Sequence, residues 1–203
     1  MLSPGSTDTA TSSPAKDPLT TNAAMPSIPP LSFGPFTVTN QIFHLTPLSY
    51  ALVNLRPLLP GHILICPRRV VPRYSQLTVP EHTDLFLTVR KVSRMLERIY
   101  KADSLNIAIQ DGAEAGQSVP HVHVHIIPRR KGDMDERGGG DAIYELMEGQ
   151  EGDLGAHQRV QEDTRRKQRS WRPDNDGRKN RSDEEMRAEA QMLMKEMEKE
   201  IDE

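Results

Sequence analysis

The chain has 203 residues, of which 35% are hydrophobic and 4% aromatic, with a formal net charge of −3. That length holds one domain plus tails, and the low apolar content confines a core to part of the chain. The small charge argues against a nucleic-acid or membrane-surface partner, no apolar run approaches the roughly 18–20 residues that cross a bilayer, and the single cysteine, Cys66, allows no intrachain disulfide and suits a reducing compartment.

Residues 1–30 are rich in Ser, Thr, Pro and Ala with almost no large apolar side chains. Such a segment cannot offset the entropy of ordering it and is expected to be a disordered tail. It lacks the basic start and apolar block of a signal peptide, and Asp8 and Asp17 without any arginine argue against a transit peptide. A cytoplasmic location, with nuclear access at this size, is the expectation. Apolar alternation predicts strands over 36–43 and 49–54, and the turn-rich run at 55–61 leads into a third strand over 62–66.

Thr78-Val79-Pro80-Glu81 is a capping-box pattern with proline in the first turn, and it predicts a helix. Leu85, Val89, Val92, Leu96 and Ile99 recur at helical spacing and form its core stripe, with His82 on the solvated side. Residues 104–110 alternate again, Leu105, Ile107 and Ile109 against Asn106, Ala108 and Gln110. The loop at 131–141 holds Gly138-Gly139-Gly140 and reads as flexible. Residues 148–181 carry little apolar pattern and a basic run, with eight Lys or Arg against two Asp between Arg165 and Arg181. They read as a flexible charged insertion, or as a nuclear-import or polyanion patch. A second capping box at Ser182-Asp183-Glu184-Glu185 opens an amphipathic helix within 182–203, with Met186, Ala190, Leu193 and Met197 on one stripe.

The most informative segment is His121-Val122-His123-Val124-His125, followed by Ile126. On a strand the three imidazoles share one face, while Val122, Val124 and Ile126 take the other. Strand stability calls for no histidine at these positions. Two chemistries want such a row: metal ligation by neutral imidazole, or nucleophilic catalysis with flanking imidazoles managing geometry and protons. The preceding Asp111-Gly112-Ala113-Glu114-Ala115-Gly116-Gln117-Ser118 has glycines that let N–H groups converge on an anion. A phosphate cradle beside a nucleophilic histidine reads as a phosphate-ester site. An all-histidine zinc site is the alternative.

The triad, together with Tyr50-Ala51-Leu52-Val53-Asn54, Pro60-Gly61-His62-Ile63-Leu64-Ile65-Cys66-Pro67, Gln110-Asp111-Gly112, Ala115-Gly116-Gln117, Ile127-Pro128-Arg129 and Ile143-Tyr144-Glu145, resembles the histidine-triad superfamily. The wording of these blocks is closest to its fragile-histidine-triad branch, the dinucleoside triphosphate hydrolases. The resemblance runs over about residues 32–147, giving a catalytic domain at 31–147, and returns at Ser170-Trp171-Arg172 and 182–190. It implies an α+β fold, with an antiparallel sheet of about five strands, one long helix, a C-terminal helix, and a homodimer whose sheets join edge to edge.

The resemblance also implies hydrolysis of diadenosine triphosphate to AMP and ADP through a covalent nucleotidyl-histidine. His123 would be the nucleophile, its other ring nitrogen donating to a backbone carbonyl, with His121 and His125 flanking the phosphate. Asn54, Gln110, Gly116, Gln117, Ser118, Val119 and His125 would contact substrate, and His62 would support the triad from behind. Tyr144 matches a tyrosine phosphorylated in some relatives, or is an ordinary anchor. Mg²⁺ or Mn²⁺ would arrive on the substrate polyphosphate, with no organic cofactor and no metal site in the protein. The chain departs from the family at Phe33-Gly34-Pro35-Phe36, which lacks a nucleotide-contacting histidine, and in about ten extra residues between Trp171 and the C-terminal helix. Alternatives are a phosphoramidate or nucleotidyl-sulfate hydrolase of the same superfamily, and a slow diadenosine-polyphosphate-binding signalling protein.

Overall fold

A computed structural model describes Met1 and residues 30–147 and 180–201. The tail at 2–29 and nearly all of the charged insertion lie outside the described residues. A short hairpin of β1 (Ser32–Phe33) and β2 (Phe36–Thr37) comes first. The main sheet contains β3 (Ile42–Leu45), β4 (Ser49–Val53), β5 (Ile63–Pro67), β6 (Ser104–Ala108) and β7 (Val124–Arg129). Its order is β3-β4-β5-β7-β6, antiparallel throughout. The strand expected over 36–43 is broken by a turn of 3₁₀ helix at Thr39–Gln41, so its two ends belong to different sheets.

Helix α1 (Val79–Tyr100) lies between β5 and β6. Thr78 Oγ1 accepts from the Glu81 N–H, and the Glu81 carboxylate accepts from the Thr78 N–H at 2.9 Å. The same carboxylate is held by both ends of the Arg69 guanidinium fork at 2.7 Å, which holds the Glu81 carboxyl down at about 2. The expected stripe is buried at Leu85, Val89, Val92 and Leu96, and Met95 joins it. After the short helix α2 (Ala142–Met147), helix α3 (Asp183–Met197) is capped by Ser182 and buries Met186, Ala190, Leu193 and Met197.

β4, β5 and β7 are covered on both faces. On one side Ala51, Val53, Ile63, Ile65, Val124 and Ile126 meet the stripes of α1 and α3. On the other, Tyr50, Leu52, Leu64 and Cys66 meet Phe33 and Leu31 of the N-terminal hairpin region. A separate group of Leu58, Ile127, Met134, Ile143 and Met147 seats α2, so the 131–141 loop contributes a buried side chain at Met134. Burying each such aliphatic chain contributes on the order of 1.5–3 kcal/mol. Two-sided burial explains why these strands read as near-continuous apolar runs.

Candidate active site

Only the last histidine of the row lies inside a strand. His125 sits on β7, opposite Leu64 of β5 and Ala108 of β6. His121 and His123 precede the strand, where the chain is held by the Val122 N–H donating to the Val71 carbonyl at 2.7 Å. The ladder stops at the Ile65–Val124 pair although β5 itself runs on to Pro67, so the segment before Val124 has left the sheet, correcting the expectation of a strand through all three. The alternation survives because Val122, Val124 and Ile126 remain in the core beneath. All three imidazoles are buried, at 0%, 1% and 1% exposure.

Backbone groups fix which nitrogen of each ring carries a proton. A carbonyl can only accept and an amide can only donate. His121 Nε2 lies 2.9 Å from the Pro67 carbonyl and must donate to it, while its Nδ1 accepts the Gly34 N–H at 3.0 Å. Both nitrogens are therefore used, and the ring is neutral. Burial pushes its pKa down to about 4, against the opposing pull of the Pro67 carbonyl. His123 Nδ1 lies 2.6 Å from the His121 carbonyl, so it carries the proton and the lone pair sits on Nε2.

His125 has the opposite tautomer. The Leu58 N–H donates to His62 Nδ1 at 3.2 Å, which puts the His62 proton on Nε2. That Nε2 lies 2.9 Å from His125 Nδ1 and donates to it, leaving the His125 proton on Nε2. The rings of His123 and His125 stand 5.0 Å apart. One presents a lone pair and its neighbour an N–H, a nucleophile beside a hydrogen-bond donor. Three imidazole lone pairs do not converge, as a zinc site would need, because those on His121 and His125 Nδ1 are already accepting. Phe33 packs on His121 and His123 at centroid distances of 5.6 and 5.1 Å.

The glycine-rich loop is ordered around itself. It turns through a 3₁₀ segment at Ala113–Ala115, and the amides of Gly116 and Gln117 donate to Ala113 and Gly112 carbonyls at 3.0 Å. Gln117 Oε1 accepts from Gly112 N–H at 2.9 Å, and its Nε2 donates to the Pro72 carbonyl at 3.0 Å. Asp111 ties the loop to Tyr74 and Arg73. The expected phosphate-facing groups of Gly116 and Gln117 are thus engaged in building the loop. Gly116 has φ +90, and a Cβ there would lie 2.4 Å from Gln110 Nε2, so glycine is required. Gln110 donates to the Met147 carbonyl at 3.4 Å, while its buried Oε1 is without a partner. Ser118 is exposed, whereas Val119 is buried and its carbonyl accepts from His121 N–H at 2.7 Å.

Asn54 is buried rather than open at a ribose position. Its Oδ1 accepts from Arg56 N–H at 3.0 Å, and its Nδ2 packs 3.3 Å from His62 Nε2, a contact between two donors rather than a hydrogen bond, so it adjoins the His62–His125 pair. Tyr144 is 58% exposed on α2. Its neighbours Ile143 and Met147 do the anchoring, so the anchor reading of Tyr144 does not hold. A hollow of about 540 Å³ lies instead at the outer edge of β6, lined by residues 103–106 and 129–131. Its arginines are committed to Asp133 and to the Tyr100 carbonyl, and it lies apart from the histidines.

A five-stranded antiparallel sheet with, at the entry to its edge-adjacent strand, an imidazole presenting a lone pair beside one presenting an N–H defines a centre suited to nucleophilic histidine chemistry. The model of the HIT domain family matches residues 36–132, and the chain belongs to that family. It is 48% identical over 170 residues to the bis(5'-nucleosyl)-tetraphosphatase [asymmetrical] of Schizosaccharomyces pombe, covering 80% of this chain and 92% of that one. It is 52% identical over 124 residues to the bifunctional bis(5'-adenosyl)-triphosphatase/adenylylsulfatase FHIT of Arabidopsis thaliana, covering 61% and 67%. Among solved structures, the Plasmodium falciparum diadenosine triphosphate hydrolase in complex with cyclomarin A superposes with a TM-score of 0.52 at 36% identity, covering 68% of this chain and 88% of that one.

Residues that sequence reasoning missed are Phe33, the Gly34 amide, Tyr100 and Arg181. Two act through backbone or ring packing and left no residue-type signal. Arg181 was assigned to the insertion, although it is ordered against Asn54 and Leu55.

Proposed function

We propose that the chain is a dinucleoside polyphosphate hydrolase that cleaves diadenosine triphosphate to AMP and ADP. The observation that carries the reading is the opposed tautomers of His123 and His125. The His123 Nε2 lone pair attacks the α-phosphorus, the P–O bond to the β-phosphate breaks, and ADP leaves. The imidazole gains positive charge as it becomes nucleotidylated, and the His121 carbonyl on Nδ1–H stabilises that charge. His125 Nε2–H donates to a non-bridging oxygen as charge develops there. Water then cleaves the P–N bond, releasing AMP and restoring His123. Splitting one displacement into two suits imidazole, a capable nucleophile near neutral pH and a good leaving group.

The substrate's polyphosphate brings Mg²⁺ or Mn²⁺ with it, which would neutralise charge on the leaving ADP. Ser118 and Gln110 are the contacts this arrangement best supports, Ser118 by its exposure beside the triad and Gln110 by its unpartnered Oε1. A homodimer joined at a sheet edge would cover β6, whose Ile107 is 48% exposed. A cytoplasmic and nuclear location accords with the single cysteine, and among the described residues no helix is long and apolar enough to cross a membrane.

A second reading is favoured by the relatives' names, which include an asymmetrical tetraphosphatase and an adenylylsulfatase. The same two histidines would serve any α-phosphorus with a good leaving group. A panel of diadenosine triphosphate, diadenosine tetraphosphate, adenylyl sulfate and an adenosine phosphoramidate, with products separated by chromatography, tests it. The highest kcat/KM on the triphosphate, giving AMP and ADP, supports the proposal; a higher value on adenylyl sulfate overturns it.

A further inference from the structure

Behind His62 the fold builds a brace from residues far from the triad. Arg181 reaches the end of β4 with two groups and α3 with a third. Its backbone N–H donates to the Leu55 carbonyl at 3.1 Å, one guanidinium nitrogen donates to the Asn54 carbonyl, and another to Glu189 of α3. The second Glu189 oxygen accepts the Tyr100 hydroxyl at 3.2 Å. The Tyr100 ring packs against Gly61, where a Cβ would come within 2.6 Å of it. Gly61 directly precedes His62, and Asn54 touches His62 Nε2. The turn from Asn54 to His62 is therefore gripped at both ends, by Arg181 on one side and Tyr100 on the other, and Glu189 joins the two grips. Arg181 and Glu189 keep only 19% and 17% of their side chains exposed, so these are not loose surface pairs.

We propose that Arg181 is a positioning residue for the triad: by tying α3 to the Asn54–His62 turn, it holds His62 where its Nε2–H sets the tautomer of His125. The inference rests on the reading of His125 as the donor at phosphorus. It deepens that reading by making the C-terminal helix part of the active-site architecture. The physical link is short. His62 donates to His125 only while its Nδ1 receives the Leu58 N–H, and both Leu58 and His62 lie on the braced turn. If the turn relaxes, either tautomer of His125 becomes accessible, and the form with a lone pair at Nε2 would face phosphate oxygens it cannot bond.

The test is Arg181→Met in the full chain, which keeps the length of the stem and removes the donors. Ring-nitrogen NMR on the free protein should show His125 moving from a single tautomer to a mixture while His123 keeps its own. Turnover of diadenosine triphosphate should fall roughly tenfold in kcat, a part of the 10²–10³ lost when a transition-state donor is removed outright, with KM nearly unchanged. Arg181→Lys should recover part of both. A variant of lowered melting temperature with wild-type His125 signals and kcat would overturn the proposal, since a purely stabilising anchor gives that result. Should Arg181→Met fail to fold, Glu189→Ala, which suits a helix, removes both acceptors and must shift His125 the same way; unchanged signals overturn the inference. If the wild type proves inactive on diadenosine triphosphate, the substrate reading fails while the NMR comparison still decides the brace.

Discussion

The Gly34 N–H donates to His121 Nδ1 at 3.0 Å across 87 positions of sequence, clamping the first histidine to the N-terminal hairpin. Because His121 in turn offers its carbonyl to His123 Nδ1, the hairpin stands two hydrogen bonds from His123. Gly34 has φ +54, and a Cβ there would lie 2.6 Å from Val119 Cγ1.

Gly34→Val should therefore lower kcat by tenfold or more. A β-branched residue at positive φ costs roughly 1–2 kcal/mol before any clash, and the Val119 contact adds to it. Removing residues 1–29 should leave kcat and KM within about twofold, because that tail has few large apolar residues to pack. Steady-state kinetics on both proteins check this. A collapse of kcat on removing 1–29 would mean that the catalytic domain begins earlier than Leu31.

His123→Asn should fold, bind diadenosine triphosphate and lose turnover by several orders of magnitude. Asparagine is polar and of similar bulk but has no nucleophilic lone pair, so the covalent route closes. His121→Asn and His125→Asn should cost less, since neither attacks phosphorus. Activity of His123→Asn within tenfold of wild type would remove it as the nucleophile.

The two long helices were legible because their signals are local. Each capping box lies within four residues, and each apolar stripe repeats along one element, so Thr78, Glu81, Ser182 and Glu185 behave as their sequence reads. The histidine row was legible as chemistry but not as geometry. Its alternation predicted one strand, whereas the ladder with β5 stops at the Ile65–Val124 pair and leaves His121 and His123 outside it. What sets the three tautomers is almost wholly backbone: the amides of Gly34 and Leu58 and the carbonyls of Pro67 and His121. Backbone groups are present at every position and mark nothing in a sequence. The glycine loop was legible only in part, for a related reason. Glycines permit amides to converge on an anion, yet here positive φ at Gly112 and Gly116 serves a turn latched by Gln117.

Stability should fall in acid through His121. Its pKa is lowered from 6.5 to about 4 by burial, so the folded state resists a proton that the unfolded chain takes up. The contribution is complete above pH 6.5, declines as pH drops through the interval, and is gone below about 4. At about 1.4 kcal/mol per unit the whole effect is on the order of 3 kcal/mol. Denaturant unfolding of wild type and His121→Asn between pH 4 and 7 measures it. The wild type should lose more stability than the variant over that range, and parallel curves would show that His121 does not stay neutral in the fold.

Rapid quenching during turnover of diadenosine triphosphate labelled in its α-phosphate should leave label on the protein that is lost in acid and kept in base. A phosphorus–nitrogen bond to imidazole behaves in that way, since protonation of the ring makes it a leaving group, whereas phosphate esters of serine or tyrosine survive acid. The alternatives are distinguishable because the other hydroxyls sit elsewhere: Ser118 is exposed at the end of the glycine loop and Tyr144 lies on α2, its oxygen 3.5 Å from Asn106. Peptide mapping should place the label on the segment holding His123, and His123→Asn should carry none. Acid-stable label on Ser118 or Tyr144 would move the covalent step off the triad. Absence of label, with inversion of configuration at the α-phosphorus in place of the retention that two displacements give, would leave His123 as a base for direct attack by water.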